Sequence, residues 1–314
     1  MQWEFTSVLQ ENFKNMKKLL IILLATITLT SCFKLDDNLF SPKTDIEEYK
    51  LDDYGGDVHF ILDGNYNIPS NMINIFTINS QAPSESSPTT IYAIYIGDLA
   101  TISTDTVFMY CHGNSQHMDY YWQRAKLLAH VGGKNKYGVL MVDYRGFGLS
   151  QGSPSEEGLY ADVDAGLNWL KASGLTGDRL IMYGYSLGSA PACELTSKPR
   201  ALIPAKLILE SNYASAAVMV QDASVLGLPA SFVTSLEIDN AEEIKNINQP
   251  FMWMHGVEDS FLNIVTHGQL VYDNYQGSYQ EAHKINGAEH GKDGVPQFYG
   301  YQNYCNAINN FINR

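Results

Sequence analysis

The chain has 314 residues, 45% of them hydrophobic, and 20 Lys and Arg against 34 Asp and Glu give a formal net charge of -14. That length and apolar content suit one large domain with a sizeable core. The acidic balance opposes a phosphate backbone and argues against nucleic-acid binding.

Met16-Lys17-Lys18, followed by the apolar run from Leu19 to Ala25, has the positive and hydrophobic regions of a secretory signal. The apolar run is too short to span a bilayer comfortably. It closes on Leu29-Thr30-Ser31-Cys32, which resembles a bacterial lipobox. The resemblance implies a signal over residues 1–31, a start at Met16, and Cys32 as the lipidated first residue of an extracytoplasmic, membrane-anchored protein, with the outer membrane as one candidate site. An ordinary signal or membrane anchor with an incidental cysteine is the alternative. Phe33 to Pro42 reads as a polar tether; residues 32–50 are expected as the tether and 51–314 as the folded domain.

Along that domain, residues 51–96 hold alternating β-rich runs, Val58 to Leu62 and Ile91 to Ile96, suited to antiparallel edge strands. From Thr106 onward, fully apolar runs at Val107–Tyr110, Val139–Val142, Leu180–Tyr183, Leu207–Leu209 and Phe251–Met254 are predicted strands. Helix-period segments lie among and after them: about 120–129, 156–171, 187–195 and 299–312. Apolar strands alternating with helices predict a mostly parallel sheet covered on both faces, an α/β fold. The remaining cysteines, Cys111, Cys193 and Cys305, have no paired or zinc-like spacing. The eight histidines are scattered, so no metal and no cofactor is expected. Gly146 to Gly152 matches a dinucleotide fingerprint poorly, its last glycine falling one residue late.

In Tyr183-Gly184-Tyr185-Ser186-Leu187-Gly188, a serine flanked by glycines ends a strand and opens a helix. Gly-x-Ser-x-Gly is the spacing of a nucleophile elbow, a tight turn with no room for side chains two positions either side of the serine. A serine hydroxyl becomes a nucleophile only when a base, itself oriented by an acid, takes its proton. Asp259 and His290 follow later strand-like segments in the order serine, acid, histidine. Glu210, ending another predicted strand, is the alternative acid. Each residue alone fits a bland surface or turn reading; the three together point to acyl transfer.

Five stretches carry a resemblance: Tyr110–Asn114, Asp143–Gly152, Pro154–Tyr160, the elbow, and His255–Asp259. From Thr106 to the C-terminus the chain resembles α/β-hydrolase superfamily serine hydrolases, and among them the depalmitoylase-like α/β-hydrolase-domain proteins. The resemblance implies an α/β-hydrolase fold with a small cap near 211–249. It also implies an oxyanion hole from the Asn114 and Leu187 backbone N–H groups, a structural role for His112, and loop bracing by Asp143 and Arg145. The chain departs from the family at Ser260–Asn263, where relatives carry valine and proline, and at Glu289, where they carry glycine.

Apolar residues of the cap segment, Val218, Met219, Val220, Leu226, Leu228 and Phe232, are candidate walls for an uncharged acyl group. The expected activity is hydrolysis of short to medium acyl esters through an acyl-enzyme. Thioesterase and serine peptidase activities on the same three residues are alternatives, and so is a non-catalytic surface-binding lipoprotein.

Overall fold

The computed structural model describes residues 36–223 and 234–314. Eight strands form one sheet: β1 (Ile73–Ser80), β2 (Thr89–Ile96), β3 (Val107–Cys111), β4 (Gly138–Val142), β5 (Leu180–Tyr185), β6 (Lys206–Glu210), β7 (Phe251–Gly256) and β8 (Gln280–Ile285). Their order is β8-β7-β6-β5-β3-β4-β2-β1. Strand β2 pairs antiparallel with both neighbours, and every other pairing is parallel.

The central strands read as unbroken apolar runs because both faces are covered. On one face Met109, Leu140 and Met182 pack with Leu159, Val163 and Leu167 of helix Glu156–Ala172 and with Ala192 and Leu195 of helix Ser189–Ser197. On the other, Phe108, Met141, Ile181 and Tyr183 pack with Trp122, Ala125 and Leu128 of helix Met118–Ala129 and with Tyr304, Ile308 and Phe311 of helix Tyr301–Ile312. The period-2 alternation of each strand thus feeds two separate cores.

The predicted C-terminal helix is broken at Gly300, whose φ of 82° ends helix Val295–Tyr299 before Tyr301 starts the next. The run Val58 to Leu62, expected as a strand, is a loop whose Phe60 and Leu62 fill the second core; β1, which carries Asn74 and Asn79 among its apolar residues, takes the edge position instead.

The expected tether is folded against the domain from Asp36 onward. Phe40 is buried, Ser41–Pro42 pair with Ser115–Gln116, and Tyr49 Oη donates to Asp143 at 2.7 Å. The arm is fixed further by Asp119, which accepts from the Lys50 and Leu51 N–H groups, and by Lys126, 2.6 Å from Asp52. Cys32 and the signal lie outside the described residues, and no described helix is long and apolar enough to cross a membrane.

Candidate active site

Strand β5 ends at Tyr185, and Ser186 takes φ of 52°, a left-handed conformation that a non-glycine residue adopts at a cost of order 1–3 kcal/mol. A Cβ at Gly188 would lie 2.0 Å from the Cys111 carbonyl oxygen, and one at Gly184 would lie 2.7 Å from Ser189 Cα. Backbone occupies both places, so the glycines are sterically required. Ser189 Oγ donates to the Ser186 carbonyl at 2.6 Å and accepts from Asn240 Nδ2 at 3.0 Å, which pins the turn from the far side.

Asp259 follows β7 and His290 follows β8, neighbouring parallel strands whose loops are joined at several points. Val257 N–H donates to the Ile285 carbonyl and Glu258 N–H to that of Ala288, while a Cβ on Gly256 would sit 2.2 Å from the Ala288 oxygen. Glu289 accepts from Ser260 N (3.0 Å) and Oγ (2.9 Å), so it ties the loop of His290 to the loop of Asp259.

The three residues meet beyond the carboxyl ends of β5, β7 and β8. Ser186 Oγ is 3.0 Å from His290 Nε2, and His290 Nδ1 is 2.8 Å from Asp259 Oδ2. The other Asp259 oxygen accepts from the Leu262 (2.7 Å) and Phe261 (3.1 Å) N–H groups. Burial pushes the Asp259 carboxyl upward, but hydrogen bonds from His255 and His290, the His290 charge and the Leu262 N–H together hold it below the usual carboxylate range. Ser186 and Asp259 are buried, and the His290 side chain keeps 17% exposure.

Glu210 is elsewhere. It pairs with Arg124 Nη1 at 2.5 Å and accepts from Tyr183 and Tyr304, all buried. It serves as the counter-ion of Arg124, whose guanidinium lies 4.2 Å from the Tyr185 ring centroid; Tyr185 in turn stacks on His290 at 5.7 Å.

Asn114 is held by Ser41, whose N–H donates to its Oδ1 at 3.0 Å. Among the described residues, neither the Asn114 nor the Leu187 N–H donates to a protein acceptor. His112 is buried between the rings of Tyr121 and Tyr144 and donates from Nδ1 to the Gly113 oxygen, consistent with loop shaping. Arg145 binds Asp162 and Glu85, bracing its turn. Of the predicted acyl walls, Val218 and Met219 are half-buried against the core and Val220 is buried, all in helix Ala216–Ala223; Leu226, Leu228 and Phe232 lie outside the described residues.

Two residues at the site escaped the sequence reading. His255 Nε2 lies 3.3 Å from Asp259 Oδ2, and His59, from the N-terminal arm, packs on Tyr185 at 5.8 Å between ring centroids. The first had a signal, a histidine four residues before the acid; the second had none, because only the fold brings residue 59 to residue 290.

A profile described as the alpha/beta hydrolase fold matches residues 106–224. The chain is similar to the mouse alpha/beta hydrolase domain-containing protein 17C, with 26% identity over 178 residues covering 54% of this chain and 50% of that protein. It thus spans about half the length of the curated relatives it matches. In three dimensions it is similar to the Pyrococcus furiosus esterase Pf2001 (TM-score 0.62, 16% identity, 87% of this chain and 98% of that one). It is also similar to the esterase RhEst1 from Rhodococcus sp. ECU1013 (TM-score 0.54, 17% identity, 76% and 98%). Strand order, the single antiparallel strand and these likenesses agree: the chain has the α/β-hydrolase fold.

Proposed function

We propose that the chain is a serine hydrolase that cleaves carboxylic esters of short to medium acyl chains through an acyl-enzyme. The observation that carries this reading is the hydrogen-bonded path from Ser186 Oγ through His290 to Asp259, starting from a serine in a strained turn.

In this mechanism His290 Nε2 takes the Ser186 proton as Oγ bonds to the ester carbonyl carbon. The carbonyl oxygen becomes an oxyanion that accepts from the free Asn114 and Leu187 N–H groups. Collapse breaks the carbon–oxygen bond to the alcohol, which leaves with the proton from His290. Water then adds to the acyl-enzyme in the same way, giving its proton to His290, and Ser186 recovers that proton as the acid departs. Asp259 holds the tautomer with hydrogen on Nδ1 and offsets the imidazolium charge.

The acyl preference rests on the apolar residues of helix Ala216–Ala223 and on the short cap segment, since each buried methylene contributes about 0.8 kcal/mol only until the pocket ends. Rates on a series of p-nitrophenyl esters should peak at a short or medium chain and fall for palmitate. Inactivity on all of them, with efficient cleavage of palmitoyl thioesters or of peptides, would move the substrate class without moving the three residues. The anchor at Cys32 belongs to this proposal: Asp36, four residues on, already docks on Thr234 and Ser235, which would hold the domain close to its membrane.

A further inference from the structure

His59 is a polar group beside the site that the proposed reaction does not use. It belongs to the N-terminal arm, outside the 106–224 match. Its ring packs against Tyr120 (centroids 4.6 Å), Tyr121 (6.0 Å) and Tyr185 (5.8 Å), and Tyr185 stacks on His290. Its Nε2 edge is turned toward the residue after His290: a Cβ on Gly291 would lie 2.8 Å from that atom. The backbone is tied down, the His59 carbonyl accepting from Gln297 Nε2 at 3.0 Å. Among the described residues neither ring nitrogen has a protein hydrogen-bond partner, and the side chain is half-buried.

Which part of an ester would meet it follows from the chemistry. His290 must hand its proton to the departing alcohol, so groups that flank His290 flank the alcohol side of the substrate. Burial first, then the charges of Arg124 and His290, push the His59 imidazolium down to about 2, so the ring stays neutral, with one donor and one acceptor. A neutral imidazole set among three tyrosines matches a hydroxyl-bearing alcohol, whose C–H surface rests on aromatic rings while a neighbouring hydroxyl pairs with the free nitrogen.

We infer that His59, together with Tyr120, forms a subsite for the leaving alcohol that selects esters of polyhydroxylated alcohols over esters of plain or aromatic ones. This inference rests on the ester-hydrolase reading above and adds the identity of the alcohol.

The test compares kcat/KM for glycerol monoacetate with that for p-nitrophenyl acetate in the wild type, His59→Phe and His59→Gln. Phe keeps a ring against the tyrosines and removes both nitrogens; Gln keeps a donor and an acceptor. The ratio of the two constants should fall about tenfold in His59→Phe, mostly through KM, as expected for one lost hydrogen bond, and should recover at least partly in His59→Gln. A ratio unchanged in His59→Phe, or equal losses on both esters in both variants, overturns the subsite while leaving the hydrolase reading in place. A wild type that cleaves neither ester and does not react with a fluorophosphonate overturns both.

Discussion

His255 Nε2 stands 3.3 Å from the same Asp259 oxygen that faces His290 Nδ1 at 2.8 Å, so two imidazoles share one carboxylate atom. Trp253 Nε1 donates to His255 Nδ1 at 3.2 Å, which puts the His255 hydrogen on Nε2, directed at Asp259 and at the Leu262 carbonyl 2.9 Å away. His255 is therefore a positioning residue for the Asp259 carboxylate. His255→Ala should lower kcat for a p-nitrophenyl ester about tenfold with little change in KM, the effect of one hydrogen bond of about 1–1.5 kcal/mol. Trp253→Phe should move kcat the same way by a smaller factor. Steady-state kinetics decide; a rise in KM at constant kcat would place His255 in substrate binding instead.

Arg124 and Glu210 form an ion pair exposed by only 2% and 1%. Glu210→Gln leaves a guanidinium buried without its counter-charge, which should cost about 3–5 kcal/mol of stability in a denaturant titration. The folded fraction should still react with a fluorophosphonate at close to the wild-type rate, whereas Asp259→Asn should slow that reaction roughly 10³-fold or more. The opposite order of effects would transfer the acid role to Glu210.

The depressed Asp259 carboxyl makes a statement about acid stability. Its folded pKa lies below the unfolded value of about 3.9, so its contribution is fully present above that value and is lost as pH falls through the folded one. The difference in unfolding free energy between wild type and Asp259→Asn should be flat from about pH 7 to 5 and shrink below about pH 4. Urea titrations at several pH values measure it; shrinkage already between pH 7 and 5 would mean a raised carboxyl.

Legibility in the sequence followed the range of the interaction. The elbow could be read because its two glycines and serine fall within five residues, even though the backbone that closes the Gly188 position is Cys111 on a neighbouring strand, and the parallel sheet because strands covered on both faces must be apolar throughout. The Val58 to Leu62 run misled because apolar residues that plug a core from a loop look the same in sequence as a short strand. The edge strand Ile73–Ser80 was obscured by its interspersed asparagines. Glu210 reads as a candidate acid in sequence because its buried partner, Arg124, lies 86 positions away. His59 had no local signal at all, since its place beside Gly291 comes from an arm that folds back across helix Met118–Ala129.

The proposed chemistry stands on Ser186 as the nucleophile. Turnover of p-nitrophenyl butyrate by the wild type and by Ser186→Ala tests it most directly, with near-ultraviolet circular dichroism to show that both are folded. A fall of roughly 10³- to 10⁶-fold is expected, because a serine nucleophile, its base and its acid act as one unit. A folded Ser186→Ala protein that keeps near-normal turnover would contradict it.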